Sequence, residues 1–265
     1  MRLRWRRRKE QDREAPAVGA VDDAADLARL TGLPLLLEVS GGALDPLGEP
    51  DESRGPTINR RQLDAARSIC RRLRPLGGNR PPGSLLVCPG IGAASGPTVA
   101  ISVATAAAIE GRRTLLVDLD FLEAPVATAL GLRQRPGIGD YLNTAAAPAE
   151  VLQAMELDGP ALEPGRRSGR LVIIGAGSGS PTPMPPFTWE RFSHFMEKAQ
   201  RAYDFVVLSG EPLLAESQPC RVMPLADAAL VCARAGETTR AEARAACSVL
   251  GRWTPPHASL LAAGA

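Results

Sequence analysis

The sequence predicts an α/β fold, a doubly wound and mostly parallel sheet flanked by helices. Three observations predict it. Short, continuous apolar runs such as SLLVC (84–88), TLLVDLD (114–120) and DFVVLSG (204–210) alternate with longer segments of helical period. A glycine-rich turn, residues 90–96, separates the first of those runs from an alanine-rich helix. Hydrophobic residues make up 45% of the 265, enough to bury one large core or two small ones.

The elements follow in order. Residues 1–20 form a basic tail. Residues 21–56 hold a short helix (VDDAADLARL, 21–30), a short strand (LPLLLEV, 33–39) and a linker of glycine, proline and acids (41–56). The main α/β domain occupies 57–265. It opens with an amphipathic, arginine-rich helix in which Ile58, Leu63, Ala66, Ile69, Cys70 and Leu73 share one apolar face. After SLLVC come the helix TVAISVATAAAIEG (98–111) and the strand TLLVDLD. Then follow the strand RLVIIGAG (170–177), a helix over 186–203, the strands DFVVLSG and DAALVCARAG (227–236), the helix TTRAEARAACSVLGRW (238–253) and a last strand in HASLLAAGA. Ligands of such folds bind beyond the carboxyl ends of the strands.

Several function classes are excluded early. A net charge of +2 does not make a charge-driven, non-specific nucleic-acid binder. The five cysteines are scattered without a CxxC, and His194 and His257 lie far from any cysteine cluster. That pattern argues against a zinc site or disulfide framework and for a reducing, cytoplasmic location. MRLRWRRRKEQDRE begins like the basic end of a signal peptide, but no apolar stretch follows. Residues 83–109 are uncharged and long enough to span a bilayer, yet CPGIGAASGP in their middle breaks any helix. Strand, loop and helix is the better reading. Cys88 beside the loop invites a catalytic-thiol role, but no histidine is near it in sequence, and buried structural cysteine is commoner.

The glycine loop opens a helix, where unpaired N–H groups and the helix dipole favour an anion. It admits two readings. Gly90, Gly92 and Gly96 give G-x-G-x-x-x-G, with Asp118 and Asp120 ending the next strand, as in an NAD(P)-binding dinucleotide fold. The alternative is a P-loop that has lost its chemistry, and there the resemblance extends beyond the loop. TGLPLLLEV, DAARSICRRLRPL, TVAISVATAAAIEGRRTLLVDLD, GLRQRPGIGDYLN, VIIGAGSGSPTP, YDFVVLSGEPLLAES and LADAALVCARAGETTRAEA follow one another as in the cytoplasmic domain of bacterial tyrosine kinases. These BY-kinases are capsule and exopolysaccharide regulators related to the MinD/ParA ATPases.

The resemblance implies a P-loop NTPase-like α/β fold of MinD/ParA type. It implies a vestigial nucleotide site at Gly90, Gly92, Ser95, Gly96, Thr98, Asp118, Asp120 and Ser209. In the register counted back from Thr98, Gly96 stands at the phosphate-binding lysine and Pro97 at the magnesium-binding hydroxyl, while Ser209 stands at the Walker B aspartate. Three elements on which phosphoryl transfer depends are thus replaced together, so no kinase or ATPase activity is expected. No resident cofactor is expected either; weak binding of ATP or ADP with Mg²⁺ is the alternative. Glu211 could reach a metal only through water, and Arg112 and Arg113 could offset the charge of Asp118 and Asp120. The family's subunit-contact motif, E-x-x-R-x-x-R, maps to Asp64, Arg67 and Cys70, with Arg71 one residue on. The implied partners are a membrane adaptor or an intact BY-kinase-like relative. Arg2 to Lys9 around Trp5 offers contact to an anionic membrane surface. The implied role is that of a non-catalytic scaffold in cell-envelope polysaccharide export, cytoplasmic and peripheral at the inner face of the membrane. No specific nucleic acid is implied.

Overall fold

The computed structural model describes residues 19–39, 58–73, 82–91, 96–157, 169–177, 189–214, 219–252 and 257–263, with Gly42, Asp45 and Leu47. Eight strands form one sheet: β1 (Leu35–Val39), β2 (Ser84–Ile91), β3 (Thr114–Asp118), β4 (Gln153–Leu157), β5 (Gly169–Ile174), β6 (Phe205–Ser209), β7 (Ala228–Arg234) and β8 (Ala258–Ala263). Their order is β1-β8-β7-β2-β6-β3-β5-β4. All neighbours pair in parallel except β4, which runs antiparallel to β5.

The central strands are buried on both faces, as their unbroken apolar runs require. On one side α2 (Arg60–Leu73) and α3 (Gly96–Ile109) cover Leu85, Val87, Leu116 and Val207. On the other, α1 (Ala24–Thr31), α7 (Trp189–Ala202) and α8 (Arg240–Leu250) cover Leu86, Leu115, Val206 and Leu208. Helix α3 is apolar all round because α2 lies over the side that the sheet does not take. No helix among the described residues is long and apolar enough to cross a membrane.

Local chemistry fixes the ends. The Asp23 carboxylate accepts a hydrogen bond from Ala25 N at the start of α1, and Gly32 closes that helix in the left-handed region at φ 72°. Asn59 and Gln62 exchange reciprocal side-chain–backbone bonds of 2.9 Å at the start of α2. Thr239 and Glu242 do the same for α8.

The structure amends the sequence reading in four places. The boundary expected at residue 57 does not separate two bodies, since β1 pairs with β8 and α1 packs on α8. Strand β2 runs on through Pro89 and Gly90 to Ile91, because the apolar end of β7 offers it partners as far as Ala233. Three short helices, α4 (Pro125–Ala129), α5 (Ile138–Leu142) and α6 (Pro148–Val151), lie between β3 and β4. Strand β4 itself, with Ala154 and Glu156 of its five residues exposed at the sheet edge, carries no continuous apolar run to reveal it. Cys70, Cys88, Cys232 and Cys247 form no disulfide.

Candidate functional site

The carboxyl ends of β2, β6 and β3 meet the first turn of α3. Ser209 pairs with Val87 on one side and with Asp118 on the other. Gly210 N donates to Val87 O, Leu213 N to Pro89 O and Leu119 N to Ser209 O, all between 2.8 and 2.9 Å, so the three strand ends are tied together. Gly92 and Ser95 lie outside the described residues. Gly90 sits where the pairing of β2 with β7 shifts register, a place glycine favours.

Gly96 is the first residue of α3 and is packed tightly. A β-carbon there would meet Pro89 Cγ at 2.5 Å, Pro89 N at 2.7 Å and Pro89 Cδ at 2.8 Å. The position at which the register counted back from Thr98 puts the lysine therefore has no room for any side chain. Thr98, in the first turn of α3, is buried.

Asp118 is wholly buried at the end of β3. Its carboxylate accepts hydrogen bonds from Asp120 N (3.1 Å) and from Val126 N (3.0 Å) in the first turn of α4. Burial raises its pKa from 3.8 to about 7, an effect the two backbone donors oppose and the charges of Asp120 and Glu211 add to. Asp120 accepts from Leu122 N (3.2 Å) and Glu123 N (3.0 Å), and so fixes the turn that follows. Glu211 is also raised, by burial and then by Asp120, against a backbone hydrogen bond from Phe121. The Ser209 hydroxyl is fully buried and has no hydrogen-bond partner among the described residues. No three of the described His, Cys, Asp and Glu residues are placed to hold a metal ion.

Arg112 and Arg113 do not offset these acids. They precede β3, at the amino end of the sheet, where Arg113 pairs with Asp204 at 2.7 Å and Arg112 lies 4.1 Å over the Phe205 ring. The dinucleotide reading also fails. It needs β3 beside β2, as in the 3-2-1-4-5-6 order, but β6 lies between them. Cys88 is fully buried in the core.

On α2, Asp64 is exposed and lies 3.7 Å from Arg60 and 3.8 Å from Arg67, while Arg71 donates to Ser68 Oγ. Cys70 faces inward, its thiol 4.0 Å from Val103 O of α3. Arg71, not position 70, therefore continues the surface ridge at i, i+3 and i+7 from Asp64.

Pro89 and Leu122 escaped the sequence reading. Pro89 was visible only as a turn proline, and its ring contact with Gly96 is tertiary. Leu122 is 85% exposed in the loop after β3. Its only sequence mark is a leucine next to Glu123, just past the end of an apolar strand.

No family model matches the chain. A putative tyrosine-protein kinase in the cps region of Klebsiella pneumoniae is 22% identical over 160 residues, covering 60% of this chain and 21% of that protein. The chain thus spans about a fifth of the curated relative it matches. Among solved structures, the BceF tyrosine kinase domain superposes with a TM-score of 0.68 at 17% identity, covering 92% of this chain and 99% of that one. The kinase domain of Escherichia coli ETK gives 0.70 at 16%, covering 91% and 94%. The fold is that of the bacterial tyrosine-kinase domains. A MinC:MinD complex from Aquifex aeolicus matches over 68% of this chain and 67% of that chain, with a TM-score of 0.50 at 15% identity. In this chain β6 separates the loop-bearing strand from the strand that ends in Asp118.

Proposed function

We propose that this chain is a catalytically silent member of the bacterial tyrosine-kinase group, serving as a binding partner or scaffold in cell-envelope polysaccharide biosynthesis or export. One observation carries the reading: among the described residues at the carboxyl end of β2, β3 and β6, the groups that would handle phosphate and metal are replaced or engaged by the protein itself. Pro89 closes on Gly96, Asp118 is occupied by Asp120 N and Val126 N, and Ser209 supplies a hydroxyl where a carboxylate would hold a metal.

The packing at Gly96 favours a second register for the vestigial loop. A glycine that tolerates no β-carbon at the start of the helix matches the closing glycine of G-x-x-x-x-G-K-[ST]. Gly96 then takes that place, Pro97 the lysine's and Thr98 the hydroxyl's. The first glycine of the motif falls on Ile91. In either register the lysine is gone, and with it the charge that neutralises the β- and γ-phosphates.

The outer ridge of Asp64, the half-buried Arg67 and Arg71 is the proposed contact for an intact relative or a membrane adaptor. Location at the inner face of the membrane follows from that partner. The test is direct. Purified protein incubated with ATP and Mg²⁺ neither releases phosphate nor labels itself on tyrosine. Magnesium-dependent turnover that disappears in Asp118→Ala would overturn the reading.

A further inference from the structure

The joint between α2 and α3 holds a small cavity that lies apart from the vestigial site. Gln62 and Ala66 of α2, Val99 and Ser102 of α3, Val39 of β1 and Leu261 of β8 line it. Its volume, as room for the centre of a water-sized sphere, is about 10 Å³. That is enough for one water and far too little for a nucleotide or a sugar. No described charged side chain lines the cavity, so nothing there would stabilise an ion.

Two polar side chains, one from each helix, meet this space, and both are buried. Gln62 is 1% exposed and Ser102 is 3% exposed. The Ser102 hydroxyl has no hydrogen-bond partner among the described residues. Burial has taken it from water and given it nothing in return, a cost that folded proteins rarely leave standing. Gln62 is held but not saturated. Its Oε1 accepts from Asn59 N and its Nε2 donates to Asp45 O, each at 2.9 Å. A second lone pair on Oε1 and a second hydrogen on Nε2 remain. Cavities that stay empty in proteins are apolar, whereas one that meets a hydroxyl and a carboxamide with spare bonding capacity suits a water.

We infer that this cavity is the binding site of a single water that bridges Ser102 Oγ on α3 to the Gln62 carboxamide on α2. Ser102 Oγ donates to the water, and Gln62 supplies its other partner. The bridge extends a polar line that starts at the carboxyl end of β7, where Arg234 Nη2 donates to Asp45 Oδ1 at 3.4 Å and the Asp45 carbonyl accepts from Gln62. The water carries that line across to α3 and ties the first half of α2, where Asp64 stands, to the helix that begins at Gly96. The inference does not depend on the scaffold role.

Crystal structures of the full chain and of Ser102→Ala, at a resolution that shows ordered water, test it. The expected result is one water about 2.5–3.2 Å from both Ser102 Oγ and the Gln62 amide in the unmodified protein, and none in Ser102→Ala. Urea melts of Ser102→Ala, Gln62→Leu and the double variant give a second reading. A shared water couples the two positions, so the double variant's folding equilibrium constant departs from the product of the single effects by about twofold to over a hundredfold. A dry cavity with Ser102 Oγ bonded back to the Thr98 carbonyl, one turn earlier in α3, would overturn the inference. So would a water that keeps its place in Ser102→Ala, or single effects that simply combine.

Discussion

Two lysine substitutions one residue apart separate the two registers of the loop. In Gly96→Lys the new β-carbon lies 2.5–2.8 Å from the Pro89 ring and backbone nitrogen. Real contacts of that kind do not occur, so Pro89 or the start of α3 must move. Pro89 is held by the pairing of β2 with β7 and by Leu213 N on its carbonyl, so relief is costly. Overpacking of this sort costs about 1–3 kcal/mol. At roughly 2–4 °C for each kcal/mol, the melting midpoint falls by about 2–12 °C. Pro97→Lys meets no such wall, because Pro97 is half-exposed in the first turn. Losing a proline that suits its place costs only about 0.4–1 kcal/mol. The new ammonium, beside Thr98, adds a charge-assisted contact of about 1.5–3 kcal/mol to a bound triphosphate, or about tenfold to over a hundredfold in affinity. Calorimetry with ATP and Mg²⁺, alongside thermal melts, reads both quantities. A Gly96→Lys protein as stable as the unmodified one, and binding ATP better than Pro97→Lys, would refute the packing argument.

Three further outcomes are expected. Between pH 4 and 7 the folded state holds a proton on Asp118 that the unfolded chain has released, so stability falls as pH rises through that window and levels off above it. Glu211 adds a slope of the same sign. Urea melts across pH 4–8 should show this decline, flattened in Asp118→Asn, and an unchanged slope in the variant would argue against a buried, raised carboxyl. Leu27→Ala, in the fully buried face of α1, should lower the stability of the whole chain by about 2–5 kcal/mol in a single transition. A separate early melting step would mean that residues 21–39 are an appendage after all. Arg67→Ala and Arg71→Ala, on the outer ridge of α2, should change stability by less than about 0.5 kcal/mol yet abolish capture of an intact relative or adaptor. Retained capture in a pull-down would remove the ridge from the interface.

The parallel core was legible because its strands are buried on both faces and so are written as unbroken apolar runs. LLVC, LLVD, FVVL and AALVC each became a central strand. Strand β4 was not legible, since an edge strand with Met155 half-buried and Ala154 and Glu156 exposed carries no such run. The order of β2, β6 and β3 was not legible from composition either. It is a property of crossover connections, and it decides between the P-loop and dinucleotide readings. At the site, the sequence could name Gly96, Pro97, Asp118 and Ser209 but not their surroundings. The tight approach of Pro89 to Gly96, and the choice of Val126 N as a partner for Asp118, depend on residues 7 and 8 positions away that meet only once the strands are aligned. The inward turn of Cys70 is a similar case, because an apolar face that includes position 70 and a contact motif that includes it make competing demands.

The fate of Asp118 ties these features together. A buried carboxylate at a strand end is costly unless a cation or donors satisfy it. In a working nucleotide site a metal and a lysine would neutralise it. Here two backbone N–H groups take their place, and one of them belongs to α4, so the acid now anchors a helix. That exchange is incomplete, as the raised pKa of about 7 records. Ser209 at the neighbouring strand end fits the same logic. A second carboxylate there would face Asp118 directly across the pair with no metal between them, whereas a hydroxyl brings no charge. The replacements at Pro97 and Ser209 are therefore mutually consistent: once the lysine is gone, the remaining charge at the carboxyl edge has to fall, and the neutral serine together with the helix-anchoring aspartate lets the sheet keep its shape without a ligand.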